Sequence, residues 1–326
     1  MRFALMTEPQ QGMGYEDQLA LVRVAERSGF EAFFRSDHYA SFPGPGDVET
    51  TDAWAVLAGL ARETTTITLG TLVSPVTFRH PGNFVKLVTT VDHMAGGRLE
   101  VGVGAGWNDD DHVRLGLPFP PIDERADLLE DQLAILHGLW TEDEGWSYDG
   151  HQVRVEGGQL NPRPVDLPGR PRSNGRARPR IITGGQGSPR ALRIAVRWAD
   201  EFNLSSSSPK VARAKMVELD EVCRSGGREP STLARSAMVG VLVGRDAAEV
   251  ERRTAELRGV LGMAGDTDPA WLAERRARWS FGTPDEARAT VQRYAEAGIE
   301  RIMLQDFLPF DYAMVELMAE ELIGRV

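Results

Sequence analysis

The stretch from Ile67 to Val103, ITLGTLVSPVTFRHPGNFVKLVTTVDHMAGGRLEVGV, decides the fold. It opens with a β-branched apolar run over Ile67 to Val73 and closes with a second apolar run over Leu99 to Val103. Between the two runs, apolar side chains recur at the three- and four-residue spacing of one helical face: Phe84, Leu87, Val88, Val91 and Met94. The stretch therefore predicts a strand, a helix and a second strand, which is the repeating unit of a parallel sheet.

The same alternation of short apolar runs and helical patterns continues towards both ends of the chain. Eight runs are predicted to be strands: Phe3 to Met6, Glu31 to Arg35, Ile67 to Val73, Leu99 to Val103, Arg180 to Thr183, Glu201 to Leu204, Ala237 to Val243 and Arg301 to Leu304. Eight strands alternating with helices, without a linker, predict an α/β fold: a single (β/α)8 TIM barrel over residues 1–326. A doubly wound open sheet fits the first half of the chain nearly as well, but the count of eight favours closure.

Three segments are longer than ordinary loops. Ala105 to Asp123 follows the fourth strand, Thr141 to Pro179 precedes the fifth, and Asp246 to Thr283 follows the seventh. The first and third insertions leave the carboxyl ends of strands, where TIM barrels keep their active sites. We therefore expect these two insertions to form walls of the site, whereas the middle one enters a strand from the opposite end.

Composition excludes several classes of function. The formal net charge of −11 disfavours nucleic acid and anionic membranes as partners, because both bind basic surfaces. Cys223 is the single cysteine, and no Cys/His cluster has the spacing of a zinc site, so no metal is predicted. No segment has the apolar core of a signal peptide or the length of a membrane span, so a cytoplasmic protein is expected.

The second predicted strand ends in Ser36-Asp37-His38-Tyr39. A carboxylate beside an imidazole on the catalytic rim of a barrel can place a proton donor or acceptor next to a reacting atom. Asp37 and His38 are therefore candidate catalytic residues. The pair also fits a buried structural aspartate beside a surface histidine, because strand ends are commonly polar.

The fourth predicted strand runs into Gly102-Val103-Gly104-Ala105-Gly106-Trp107. This segment is similar to a dinucleotide-binding fingerprint, but Trp107 occupies the third glycine position and the segment does not open a βαβ unit. Its small residues predict a place where a flat ring system approaches the backbone at Gly106 and Trp107. Close packing of strand against helix is the alternative.

The fifth predicted strand enters a helix through a glycine-rich turn, Thr183-Gly184-Gly185-Gln186-Gly187-Ser188-Pro189. Free backbone N–H groups at the start of a helix, with glycines that allow close approach, can bind a phosphate. A plain turn fits the same residues.

Other polar residues carry weaker signals. Arg79 and His80 stand where a ligand would lie and could contact an anion, although solvated loop charges are the commoner outcome. The remaining histidines have no spacing typical of a metal site and are assigned to structure or solvent: His93, His112, His137 and His151.

Taken in order, these motifs resemble the luciferase-like monooxygenase superfamily, and more narrowly its bacterial members that use the deazaflavin coenzyme F420. The resemblance spans nearly the whole chain and is more specific for the superfamily than for the cofactor. The segments that carry it are Phe3 to Gln10, Ala25 to Phe30 with Ser36 to His38, Phe78 to Pro81, Asp92 to Leu99 with Gly102 to Trp107, Gly184 to Gly187, Ala199 to Asn203, and Gly282 to Glu286.

The resemblance implies a TIM barrel with its cofactor across the carboxyl ends of the strands. It implies that Asp37 and His38 lie beside the reactive ring, with His38 as the proton-transfer group. It implies a non-proline cis peptide near Leu72-Val73, whose bulge would back the ring. It also implies that Gly184 to Gly187, with Ser188, hold the cofactor phosphate and that Asn203 lies nearby. Relatives commonly pair as dimers, so a homodimer is expected.

One departure bears on the substrate. Some sugar-phosphate dehydrogenases of this family have a glutamate, acting as an acid near the ring, where this chain has Trp107. The tryptophan argues against that activity and is closer to the wider reductase and oxidase branch. Apolar walls facing the substrate are expected from Trp107, Met263, Trp279 and Phe281.

The resulting hypothesis is an F420-dependent oxidoreductase that transfers a hydride to or from a small organic substrate. The first alternative is an FMN-dependent monooxygenase that uses dioxygen, and the second is a flavin-binding protein without catalytic activity. A cofactor-free lyase or isomerase needs a lysine or a metal cluster at the strand ends. Lys86 falls within a predicted helix and Lys210 after the sixth strand, so that reading has little support.

Overall fold

In the computed structural model, which describes residues 1–43, 46–265 and 268–326, eight parallel strands form a closed barrel. The strands lie close to the predicted runs, with ends that differ by up to three residues. They are β1 (Arg2–Thr7), β2 (Ala32–Arg35), β3 (Thr68–Pro75), β4 (Leu99–Gly104), β5 (Arg180–Gly185), β6 (Glu201–Ser205), β7 (Ala234–Val243) and β8 (Arg301–Asp306).

Strand pairing confirms the closed barrel over the open sheet. β1 pairs with both β2 and β8, and the ring closes where β6 pairs with β7, with Glu201 opposite Ala234. An open sheet would leave two edge strands, whereas each of these eight strands has a neighbour on both sides. The chain therefore folds as a TIM barrel.

Helices cover the outside of the barrel and occupy two of the insertions. Most begin at a side-chain cap, as where Asp52 accepts from Trp54 N and Asp311 accepts from Met314 N. The helices are α1 (Tyr15–Arg27), α2 (Ala53–Glu63), α3 (Pro81–Met94), α4 (Asp110–Val113), α5 (Ile122–Thr141), α6 (Pro189–Trp198), α7 (Pro209–Ser225), α8 (Ala247–Val260), α9 (Pro269–Arg278), α10 (Pro284–Glu296) and α11 (Tyr312–Leu322).

Successive side chains of each strand point to opposite faces, and this divides the hydrophobic core into two parts. On β1, Phe3 and Leu5 pack with the helices in the large outer core, whereas Ala4 and Met6 point into the barrel with a smaller cluster. Side chains fill the interior, so the barrel does not form a pore.

The amino-terminal end of the barrel is closed by a buried ion cluster. The Arg301 guanidinium lies 2.7 Å from Glu100, 3.0 Å from Glu201 and 3.2 Å from Glu31. Burial acts to lower the pKa of Arg301, but the carboxylates outweigh it and raise that pKa. The cluster seals this end, which leaves the carboxyl end for the functional site.

The insertions contain short strands that the sequence pattern does not predict, whereas the helices after β7 agree with the helical pattern of Asp246 to Thr283. The segment before β5 forms two antiparallel pairs, Trp146–Asp149 with Arg154–Gly158 and Arg172–Ser173 with Arg176–Ala177. The segment after β7 holds α8, α9 and a short strand, Ser280–Gly282, which pairs with β7. This strand has only three residues, too few to give a periodic signal.

The burial of Asp306, the last residue of β8, predicts that the folded state loses stability as pH rises. It is fully buried, and among the described residues its Oδ2 atom has no hydrogen-bond partner. Burial raises its pKa to about 7. Because the unfolded value is ~3.9, Asp306 favours the folded state most at low pH, and this contribution is lost as pH rises through about 7.

We therefore expect Asp306→Asn to become more stable relative to the parent protein as pH rises. The difference in unfolding free energy should grow by ~1–3 kcal/mol between pH 5 and pH 8. Urea unfolding of both proteins at the two pH values measures it. An equal difference at both values contradicts the raised pKa.

Candidate functional site

A cavity of about 900 Å³ lies at the carboxyl end of the barrel. All eight strands, or the residues that directly follow them, contribute to its lining. The insertion after β4 adds Ala105 to Asn108, and the insertion after β7 adds Met263, Arg275 and Trp279. No described residue of the insertion before β5 lines the cavity. This size suits a cofactor together with a small substrate.

The cavity brings together most of the residues predicted from sequence. Nine of the predicted site residues line it: His38, Leu72, Val73, Gly106, Trp107, Gly184, Gly185, Gln186 and Asn203. They come from five different strands and the segments that follow them. Asp37, Gly187 and Ser188 do not line it.

The bond between Leu72 and Val73 is a cis peptide, as the resemblance implied. The register between β3 and β4 shifts between Thr71 and Ser74, so the strand bulges there. Two glycines of β4 accept this bulge: a Cβ on Gly102 would lie 2.1 Å from Thr71 O, and one on Gly104 would lie 2.8 Å from Val73 Cγ2. Close packing thus explains these two glycines, and both Gly104 and Gly106 also line the cavity.

Asp37 points away from the cavity, which corrects its predicted place beside the ring. Side chains alternate along an extended segment, so Asp37 faces opposite to Ser36 and His38, which line the cavity. Its Oδ2 atom accepts from Ser74 Oγ at 2.8 Å and from Arg79 at 2.6 Å. The Asp37 carboxylate therefore links the segment after β2 to the end of β3 and to the loop that follows it.

Arg79 belongs to the same structural network and does not act as a free anion site. Its guanidinium also contacts Asp52 and donates to the Tyr39 hydroxyl at 2.9 Å. Burial acts to lower the pKa of Arg79, but Asp37 and Asp52 outweigh it and raise that pKa. His80 caps α3, where its Nδ1 atom accepts from Gly82 N at 3.2 Å.

His38 is held by a carboxylate that the sequence reading missed. Its Nδ1 atom lies 2.6 Å from Asp111 Oδ2, and the other Asp111 oxygen accepts from Tyr39 N and Ala40 N. Burial acts to raise the pKa of Asp111, but these hydrogen bonds outweigh it and lower that pKa. A carboxylate can only accept, so His38 Nδ1 carries a hydrogen and Nε2 is the ring nitrogen left for proton transfer.

His112 also lines the cavity, contrary to its assignment to structure or solvent alone, but both its nitrogens are occupied. Nδ1 donates to Asn108 O at 2.8 Å, and Nε2 accepts from Thr77 Oγ1 at 2.6 Å. By contrast, His38 Nε2 has no partner among the described residues. Of the two histidines, His38 alone offers a ring nitrogen for proton transfer.

The glycine turn after β5 faces the cavity only at its beginning. Gly184, Gly185 and Gln186 line it, and a Cβ on Gly185 would meet no heavy atom within 4 Å. Ser188 is engaged instead in capping α6, where its hydroxyl accepts from Ala191 N at 3.3 Å. Gly187 O accepts from Lys215 Nζ at 2.9 Å, outside the cavity. Of the turn predicted to hold a phosphate, only Gly184 to Gln186 therefore face the cavity.

Aromatic rings form much of the cavity wall. Trp107 is 68% exposed, and its ring meets the edges of Phe42 and His38 at centroid distances of 5.3 and 5.7 Å. Trp279 stacks on Phe307 at 5.4 Å. Phe281 does not line the cavity, which corrects its predicted place there: it lies on the short strand beside β7 and packs into the outer core.

A polar floor that the sequence reading missed lies where β1, β2 and β8 end. Glu8 accepts from Gln10 Nε2 at 2.7 Å and from Gln305 Nε2, and Gln10 Oε1 accepts from Ser36 Oγ at 2.6 Å. All four side chains line the cavity. The signal in the sequence that could have indicated this floor is that Glu8 and Gln10, both polar, closely follow the apolar strand β1.

Two arginines of α9, Arg275 and Arg278, also line the cavity. Both guanidinium groups contact Glu274, at 2.7 and 2.9 Å, and Arg278 also donates to Ser206 O at 3.3 Å, but the Nε atoms of both side chains are buried without a partner among the described residues. Unpaired buried donors of this kind fit an anionic group of a ligand.

Other kinds of site find no support in the described ranges. No described group of three or more His, Cys, Asp or Glu side chains could hold a metal ion, and neither Lys86 nor Lys210 lines the cavity. Within the same ranges, no helix has the length and apolar character needed to cross a bilayer.

Comparisons with known proteins show which proteins this chain resembles. The profile of the luciferase-like monooxygenase family matches residues 1–301. An F420-dependent glucose-6-phosphate dehydrogenase from Nakamurella multipartita is 31% identical over 345 residues, which cover 100% of this chain and 96% of the relative. An FMNH(2)-dependent dimethylsulfone monooxygenase from Pseudomonas putida is 28% identical over 316 residues, which cover 89% and 82%.

The solved structure of an F420-dependent secondary alcohol dehydrogenase, in complex with an F420-acetone adduct, has the same fold. It superposes with a TM-score of 0.79 at 19% sequence identity, and the match covers 99% of this chain and 98% of that one.

Proposed function

The chain belongs to the luciferase-like monooxygenase family, and on that basis we propose that it is an oxidoreductase that uses coenzyme F420 to exchange a hydride with a small organic substrate. The observation that carries this proposal is the pairing of His38 with Asp111 at the cavity wall. It gives the site one oriented ring nitrogen for proton transfer beside a space large enough for a deazaflavin.

The residues of the cavity fit such a cofactor. Gly185 leaves open space for a phosphate, and the buried Asn108 Nδ2 atom has no partner among the described residues, so it can donate to a polar ring edge. Leu72, Val73 and Gly106 would contact the ring, and Gly184 to Gln186 with Asn203 would hold the phosphate chain. When bound, the cofactor supplies the hydride chemistry.

The side chains supply orientation and proton transfer. In the oxidising direction, neutral His38 accepts a substrate proton at Nε2, and in the reducing direction the protonated ring returns it. Asp111 keeps the ring in one tautomer and stabilises its charged form. The aromatic walls provide an apolar surface against which the substrate would lie.

The choice of F420 over FMN rests on relatives that span this chain from end to end. F420-dependent dehydrogenases match 95% to 100% of it. Arg275 and Arg278 add support, because the acidic chain of F420 carries more negative charge than FMN does. The family resemblance implies that Trp107 stands where some sugar-phosphate dehydrogenases have a glutamate, so we do not assign glucose 6-phosphate as the substrate.

An FMN-dependent monooxygenase is the second candidate, supported by the similarity to the dimethylsulfone enzyme. Because such relatives are oxidoreductases and monooxygenases, a flavin carrier without catalytic activity has less support.

Turnover with and without oxygen tests the proposal. We expect a panel of ketones, imines and activated alkenes to contain a compound that oxidises reduced F420 anaerobically in the presence of the protein. Oxygen uptake with reduced FMN, without any anaerobic oxidation of reduced F420, would assign the chain to the monooxygenases instead.

A further inference from the structure

We propose that the substrate side of the cavity binds an organic cation, with its positively charged nitrogen against Glu8. The assignment of this cation as the substrate rests on the proposed function, whereas the binding site itself does not. Three observations support the site: an uncompensated carboxylate, the separation of charges around the barrel, and the aromatic rings that complete the cavity wall.

Glu8 is a buried carboxylate without a counter-ion. The residue is only 7% exposed and lines the cavity floor. Its two oxygens accept from the neutral amides of Gln10 and Gln305, and no ion pair of the described residues includes it. Neutral donors only partly offset the cost of burying a charge, so a cation in the cavity would complete the site.

The other charged groups that line the cavity have partners. Asp111 is paired with His38. Arg275 and Arg278 both contact Glu274, at 2.7 and 2.9 Å. Of the carboxylates and guanidinium groups that line the cavity, Glu8 alone therefore has no hydrogen bond or ion pair to an ionisable side chain within the described ranges.

The barrel also separates Glu8 from the cradle assigned to the cofactor phosphate. Glu8 follows β1, and Gly184 and Gly185 end β5, which lies four strands away in either direction around the eight-stranded ring. An anionic chain can thus occupy one side of the cavity while the carboxylate faces the other. An anionic substrate placed at the floor would be repelled by Glu8.

Aromatic side chains make the same space suitable for a cation. Phe42, Trp107 and Phe307 line the cavity, and the ring of Trp107 is largely exposed. The faces of aromatic rings attract cations, most strongly where water is excluded. Rings together with a carboxylate therefore favour a flat or compact ammonium, iminium or pyridinium-type compound over a neutral compound of the same shape.

Calorimetric titration with three probes of similar shape tests the proposal. The probes are the cation 1-methylquinolinium, the neutral 1-methylnaphthalene and the anion 1-naphthoate. We expect the cation to bind at least ~10-fold more tightly than the neutral probe, and the anion to bind most weakly. Equal or tighter binding of the neutral or anionic probe would overturn the proposal without any variant being needed.

Glu8→Gln should remove the preference for the cation and leave the binding of the neutral probe unchanged. Asp110→Asn is the matched control, because it removes the same charge from an exposed side chain on α4 that does not line the cavity. If Glu8→Gln keeps the full preference, Glu8 is not the cation site and the proposal is wrong.

The titrations are made on the protein without cofactor and again with F420 bound. A preference for the cation without any binding of F420 would contradict the proposed function and retain this site. Binding of F420 without a preference for the cation would support the proposed function and overturn the cation site.

Discussion

Replacement of His38 by alanine is expected to lower the turnover rate at least ~100-fold, the usual contribution of a general acid-base group. F420 affinity should change only a few-fold, because His38 contributes one ring among many cavity-lining groups. His38 is singled out because Asp111 fixes its Nδ1 atom and leaves Nε2 without a partner among the described residues, whereas both nitrogens of His112 are occupied.

The rate is measured by anaerobic oxidation of reduced F420 and the affinity by fluorescence titration. The control is His151→Ala, which removes an exposed imidazole outside the cavity and should change neither quantity. Asp111→Asn should also lower the rate, on the order of 10-fold or more, because an amide no longer enforces one tautomer of His38. Unchanged turnover in His38→Ala would remove this histidine from the mechanism.

Gly185→Asp is expected to weaken F420 binding at least ~100-fold, since two like charges ~4 Å apart repel by several kcal/mol at a protein surface. The space beside Gly185 is open, so an added carboxylate can occupy the place assigned to the phosphate. The measurement is an F420 titration of each variant, with thermal unfolding to check that it is folded.

Gly185→Ala is the matched control for backbone strain. Gly185 has a φ of +148°, which L residues rarely adopt, so alanine and aspartate both incur a conformational cost. Only aspartate adds the charge. If the two variants bind F420 equally well, the phosphate does not lie at this turn.

The barrel was predictable because each strand leaves its own local signal. The apolar run and the helical face within Ile67 to Val103 follow from spacing alone, and the structure places a strand, a helix and a strand there. The strand Ser280–Gly282 was missed, since three residues carry no period and pairing with β7 alone makes them a strand.

The residues of the candidate site were predictable where they lie in motifs that directly follow a strand. They were not predictable where the site depends on the direction of a side chain or on a contact between residues far apart in the sequence. His38 and Gly185 lie in motifs that the sequence displays. Asp37 was misplaced because neighbours in a motif point to opposite sides of an extended chain. Asp111 lies 73 positions from His38, and Glu8 lies 297 positions from Gln305, so only the closed barrel brings these partners together.

The most direct test of the central claim is binding of the two cofactors to the purified protein, with F420 and FMN titrated separately and followed by fluorescence quenching. We expect F420 to bind with a micromolar or tighter Kd and FMN at least ~10-fold more weakly, because we assign Arg275 and Arg278 to the acidic chain of F420, which FMN lacks. Selective binding of FMN would contradict the account and identify the chain as an oxygen-using flavin enzyme of the same family.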